Sequence, residues 1–317
     1  MFAWASWRTL LPLILGVVGL VIWGLYSELP SKNPIIPLRI MSNRTAAINY
    51  YGMFVHGFIR FGVTYYMPLY YQGVKGYSPL IAGVAALPQC ATSGPSTAIT
   101  GILIAKTHRM KIFSLVGWAI FVLGLGLLED LDIDTSIAAW IFLNVPSGIG
   151  LGMLFSSVAL ATQNAAECKG TTEEIIQIKT MAACLNPFFR ALGQSVAIVV
   201  GQAVVSNQMK QRLYGHYVNS AAGLAPMVKH LPLAEQAIVK TAFVDSLRIV
   251  WWILFALGIS AGLLTLLTAD QRIFVPTVQD NEKASEPQNT ATPSMLEDDA
   301  AEQVAVRHDS QSAKSKG

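Results

Sequence analysis

Along the chain, long apolar runs alternate with short polar breaks. The runs cover residues 10–26, 46–70, 80–105, 112–128, 137–162, 181–206 and 247–269. Each is long enough to cross an apolar slab of about 30 Å at about 1.5 Å per helical residue. The pattern predicts an all-α polytopic membrane protein with about seven transmembrane helices. The longer runs are expected to tilt or to extend beyond the slab. Pro88, Pro95 and Pro187 fall inside the third and sixth runs. Membrane helices tolerate proline because neighbouring groups satisfy the freed carbonyls, so these positions predict bends.

Composition sharpens this picture. Hydrophobic residues make up 53% of the 317 positions and charged residues 13%, too few charges for the surface of a soluble chain of this length. Lys32, Arg39 and Arg44 follow the first run, Lys106, Arg109 and Lys111 the third, and Lys169 and Lys179 the fifth. The intervening short loops carry Lys75 alone, or only acidic charges at Glu129, Asp130, Asp132 and Asp134. The positive-inside bias then predicts an external N-terminus and a cytoplasmic tail. Residues 207–246 become an external loop, in which 233–244 has helical apolar spacing suited to the outer surface. Trp140, Trp251 and Trp252 are expected in an outer aromatic belt. Beyond Arg272 the chain turns polar, which predicts a disordered tail. The first run ends in Ser27-Glu28-Leu29-Pro30, unlike a signal-peptide cleavage site.

Catalytic chemistry is not indicated. Cys90, Cys168 and Cys184 have no metal-ligand spacing and read as small packing residues. The histidines, His56, His108, His216, His230 and His308, form no paired box, and no glycine-rich phosphate loop is followed by lysine. The last run has no lysine for a retinal-type Schiff base. No enzyme, cofactor, metal or nucleic-acid partner is expected.

The informative residues are polar groups within apolar runs, because a charge at bilayer depth normally faces a cavity or a partner. Arg60 lies mid-run, with His56 one turn earlier and Thr64 one turn later, all on one helical face. The functional reading is a cation that holds an anionic substrate or tunes a proton site. The structural reading is an arginine paired with a carbonyl, or a misplaced span boundary. Arg190 lies nearer a span end, where it can also snorkel. Asn144 is a further interior candidate, while Gln163 and Asn164 suit a helix end. Gly148, Gly150 and Gly152, and Gly258 with Gly262, read as sites of close helix packing.

Several segments together resemble one family. The run Tyr65-Tyr66-Met67-Pro68-Leu69-Tyr70-Tyr71-Gln72-Gly73-Val74-Lys75-Gly76-Tyr77-Ser78-Pro79, continued by Ala82-Gly83 and Leu87-Pro88, resembles a segment of the fungal drug:proton antiporters with fourteen spans. Gly148, Gly150 and Gly152 followed by Met153-Leu154-Phe155 are similar to that family's antepenultimate helix. Phe189-Arg190, Leu192-Gly193, Ser195-Val196 and Gly201-Gln202-Ala203-Val204 are similar to its penultimate helix. These transporters belong to the major facilitator superfamily, and the resemblance covers roughly residues 10 to 270.

The resemblance implies a linker helix and cytoplasmic loop in residues 1–44 and a C-terminal six-helix bundle in 45–269. It implies a cytoplasmic tail in 270–317. It implies proton-coupled export of drugs, toxins or secondary metabolites across the plasma membrane, or a vacuolar or vesicle membrane. Nothing here resembles the N-terminal bundle, which in that family carries the proton-linked acidic site. The expectation is therefore a truncated or half-length transporter, whose partners are a small-molecule substrate, protons, the lipid bilayer, and a second transporter half or a second copy of the chain. Residues 101–111 look like a degraded second copy of the family's loop motif without its acidic residue, and Arg60 stands where the family is usually apolar. The alternatives are an inactive gene fragment and a seven-span receptor. The receptor has the same topology, but no Asp/Glu-Arg-Tyr follows the third run and no Asn-Pro-x-x-Tyr lies in the seventh.

Overall fold

The computed structural model describes residues 7–28, 38–41, 43–166, 172–213 and 221–270, which lie in one unit, Met1–Phe274. The expected tail, Cys168 and Lys169 lie outside the described residues. The helices are α1 (Trp7–Glu28), α2 (Arg44–Gly73), α3 (Pro79–Ala85), α4 (Leu87–Thr107), α5 (Met110–Leu127), α6 (Ile137–Ala165), α7 (Thr172–Arg212), α8 (Ala221–Leu224) and α9 (Leu233–Leu266). Short 3-10 turns occupy Leu38–Met41, Leu128–Asp130 and Ala225–His230. The described residues contain no strand, and the fold is that of an all-α membrane protein.

Local sequence sets several helix ends. Asn43, Ser78 and Ser136 each accept a hydrogen bond from a first-turn N–H, at Thr45, Ile81 and Ala139, and so satisfy a donor that the helix leaves unpaired. His108 closes α4 in the left-handed region at φ 55°, and its N–H donates to the Ile104 carbonyl. The third apolar run is two helices, α3 and α4, meeting at Ala86. Pro88 explains the break: its ring crowds the carbonyl four residues back and it has no N–H to donate. Pro187 causes no such break, and α7 continues through it for 41 residues.

Four helices are long and apolar enough to cross a membrane: Met110–Asp130, Ile137–Ala165, Glu173–Arg212 and Leu233–Leu266. A shorter apolar stretch, Ile14–Tyr26, lies in α1, whose Leu11, Ile14, Leu15, Val18 and Ile22 are all exposed. An exposed apolar face of this kind suits a lipid environment. At 30 and 21 residues, α2 and α4 have the length of a span but more polar sequences.

The hub is α2, which packs on α6, α7 and α9, while α6 also packs on α4 and α5. Its tyrosines bury their rings and send their hydroxyls to different neighbours. Tyr66 donates to the Ile198 carbonyl at 3.0 Å and Tyr70 to the Asp132 carbonyl at 2.7 Å. Tyr51 meets the Ser260 hydroxyl at 2.8 Å. Beyond α2, the Lys75 ammonium donates to the carbonyls of Ile133 and Thr135, tying one loop to the next. Burial pushes the Lys75 pKa down, and the carboxylates of Asp134 and Asp132 oppose that shift.

Two expectations change. Residues 207–246 are largely helical where described, because α7 runs to Arg212 and α9 starts at Leu233. The stretch 233–244 is the start of the last long helix, with Val239, Ala242, Phe243 and Val244 buried against the bundle. Phe243 packs against Gly73, where an added Cβ would meet its ring at 3.0 Å. Trp140 and Trp251 are buried, and Trp140 lies 5.1 Å from the Tyr71 ring. Only Trp252 of the three is exposed, with its indole N–H donating to Glu129 at 3.0 Å.

Candidate functional site

The site is built where α2 crosses α7. A Cβ on Gly57 would fall on the backbone oxygen of Arg190, and one on Gly193 would fall on the carbonyl oxygen of Phe54. The two backbones therefore touch, as small residues allow in membrane helices. Close approach carries the Arg190 side chain across α2 towards α6. Its Nη2 lies 3.4 Å from the Met53 sulfur, and its guanidinium carbon is 3.9 Å from the centre of the Phe155 ring. The Arg60 guanidinium carbon, from α2, is 5.5 Å from the same ring. His56 is fully buried, its ring 6.1 Å from Phe155. The His56 Nε2 faces the Leu151 carbonyl at 3.2 Å, so the imidazole is the donor there, and Nδ1 has no partner.

Three basic side chains thus converge on one phenyl ring, and no carboxylate nearby balances the two guanidiniums. A cation over an aromatic face gains about 0.5–2 kcal/mol. Placing arginine at the centre of a membrane helix costs about 2.5–3.5 kcal/mol on insertion scales. The ring alone does not offset that cost, and a thioether sulfur is a weak acceptor. Arg190 Nε has no partner. Residues 44–128, 135–166, 175–234 and 246–269 contain no Asp or Glu. The ion pairs among the described residues join Asp245 to Arg212 and Arg248, at the C-terminal end of α7 and early in α9.

Other expected site residues sit elsewhere. Thr64 is exposed, continuing the α2 face beyond half-buried Arg60. Asn144 is buried and separate from the cluster, its amide donating to the Tyr71 hydroxyl at 3.2 Å and the Trp140 carbonyl at 2.7 Å. Among the glycines, Gly148 and Gly152 face α4, where a Cβ would meet Thr92 and Ser93. Gly150 faces Phe121 of α5. Gly258 faces Val122 at 3.0 Å, and Gly262 faces Trp118 at 3.3 Å. Met53 and Phe155 were not singled out in the sequence as ring and sulfur partners of the cations. Phe155 is visible there only as the end of a glycine-rich match, since one phenylalanine in an apolar run looks like any other.

These long apolar helices define a multi-pass membrane protein, and no cluster that could hold a metal occurs among the described residues. Residues 1–198 match the family model of the Major Facilitator Superfamily, and the chain belongs to that superfamily. It is 38% identical over 262 residues to the MFS transporter L2 of a Phoma species, covering 79% of this chain and 42% of that protein. It is 31% identical over 300 residues to the efflux pump dotC of Dothistroma septosporum, covering 92% and 50% respectively. An MFS-type efflux pump of Mycosarcoma maydis, MMF1, is 27% identical over 270 residues, covering 81% and 42%. The chain thus spans about half the length of the curated relatives it matches.

Proposed function

We propose that this chain forms one bundle of a proton-coupled efflux transporter for drugs, toxins or secondary metabolites. The observation that carries this reading is the contrast between its exposed faces. On α5 the exposed stripe is Ile112, Val116, Ala119 and Leu123; on α9 it is Trp252, Ala256, Ile259, Leu263 and Leu266. These mostly large apolar stripes suit lipid. On α4 the exposed positions include the small Cys90, Ala91, Gly94 and Ala98 beside the larger Leu87, Ile99 and Ile102, and on α7 the small Thr180, Cys184, Ala191 and Ser195 beside Ile176, Val196 and Val199. Small side chains gain little from lipid and permit close helix contact, so this surface suits a second bundle. The Arg60–Phe155–Arg190 cluster then belongs to one wall of a cavity between the bundles.

Alternating access requires two bundles rocking about a site near the midplane. The second is a further transporter half or a second copy of this chain. In this reading residues 1–44 hold a linker span and 45–269 the bundle, about seven spans in all, with the tail 270–317 cytoplasmic and the plasma membrane as the site of action. The test is uptake of a fluorescent lipophilic dye into inside-out vesicles under an imposed proton gradient. Vesicles from cells that also make an N-terminal bundle from a relative are expected to accumulate dye, and those in which this chain is present alone as a monomer are not. Gradient-driven uptake by a demonstrated monomer, or none in either preparation, would overturn the proposal.

A further inference from the structure

We infer that Arg60 and Arg190 form an anion subsite, and that the transported small molecule carries a carboxylate. This rests on the exporter reading above and adds the substrate class. The two guanidiniums approach one ring, Phe155, at 5.5 and 3.9 Å from α2 and α7 respectively. Both are half-buried, so an incoming molecule can reach them. Like charges held together in a poorly hydrated setting call for an anion between or beside them. The apolar stretches contain no Asp or Glu that could supply it. Among the described contacts of Arg190 are only a thioether sulfur and a ring, and its Nε is free. A guanidinium presents paired N–H donors matched to a carboxylate's two oxygens. His56 contributes an unpaired ring nitrogen beside the same ring. Neutral or cationic cargo would leave both arginines uncompensated.

The experiment is equilibrium binding to the whole chain in lipid nanodiscs, with 2-naphthoate and its neutral isostere 2-naphthamide as probes. The wild-type chain is expected to bind naphthoate about ten-fold more tightly than naphthamide, as charge-assisted pairing implies. Arg60→Gln and Arg190→Gln should each bring the two affinities to within about three-fold of each other, while Arg190→Lys retains part of the preference. The wild-type ratio needs no variant, so a substitution that fails to fold leaves the inference testable. Equal affinity in the wild type, or a preference unchanged in both glutamine variants, overturns the anion subsite. Loss of naphthoate binding when a second bundle is added would also overturn it, by showing that a carboxylate of that bundle occupies the arginines. Dye uptake is read separately: failure there with the carboxylate preference intact removes the exporter reading and leaves the subsite standing.

Discussion

At Gly57 a methyl group would share space with the Arg190 backbone, and at Gly193 with the Phe54 carbonyl. Neither clash involves a side-chain tip that could swing aside, so the helices must separate. Gly57→Ala and Gly193→Ala are each expected to lower stability by about 1–3 kcal/mol, the usual range for overpacking. Gly94→Ala meets nothing within 4 Å and should stay within about 1 kcal/mol of wild type. Thermal unfolding in detergent, followed by circular dichroism, checks the ranking; equal melting for all three variants would remove the backbone contact. Tyr71→Phe removes only the hydroxyl that accepts from Asn144, and interhelical hydrogen bonds in membranes average about 0.6 kcal/mol, so it should be milder than either clash. His56 and Arg60 were legible in the sequence because ionisable groups are rare in apolar runs. Their convergence with Arg190 was not, because it depends on where two helices far apart in sequence cross, and single glycines in glycine-rich spans do not announce that point.

At the scale of elements, hydropathy located the apolar stretches but not their ends. Lys210, Arg212 and Lys229 make the segment after the sixth run read as a loop, yet α7 and α9 extend into it by packing one face and exposing the other. The break at Pro88 and the continuity at Pro187 likewise depend on neighbours rather than on proline alone. One connection makes a specific prediction. Lys75 bonds the Ile133 and Thr135 carbonyls from another loop, and no other described basic side chain bonds either carbonyl. Lys75→Ala should free that loop while leaving the helices intact. Amide hydrogen exchange over residues 131–136 should quicken roughly five- to thirty-fold, the equivalent of losing a hydrogen bond of about 1–2 kcal/mol. Unchanged exchange there would show that the acidic loop holds itself.

For the whole molecule, the superfamily match makes it a multi-pass membrane protein, and the proposed arrangement predicts which side each loop occupies. The Lys/Arg bias of the short loops predicts a tag after Asp270 in the cytoplasm and a tag inserted near Tyr214 outside. Protease protection in sealed vesicles is expected to separate the two, and finding both on one side would remove a span. The central claim is that the face of α2 bearing Arg60 lines water rather than lipid. Thr64 is the exposed residue of that stripe, and Leu123 is exposed on the apolar stripe of α5. The most direct measurement compares Thr64→Cys with Leu123→Cys, in a background with Cys90, Cys168 and Cys184 replaced, by labelling membranes with a charged thiol reagent that does not cross lipid. Labelling at position 64 and none at position 123 is the predicted result. A protected position 64, with or without labelling at 123, would place that face against lipid or protein and contradict a transport cavity there.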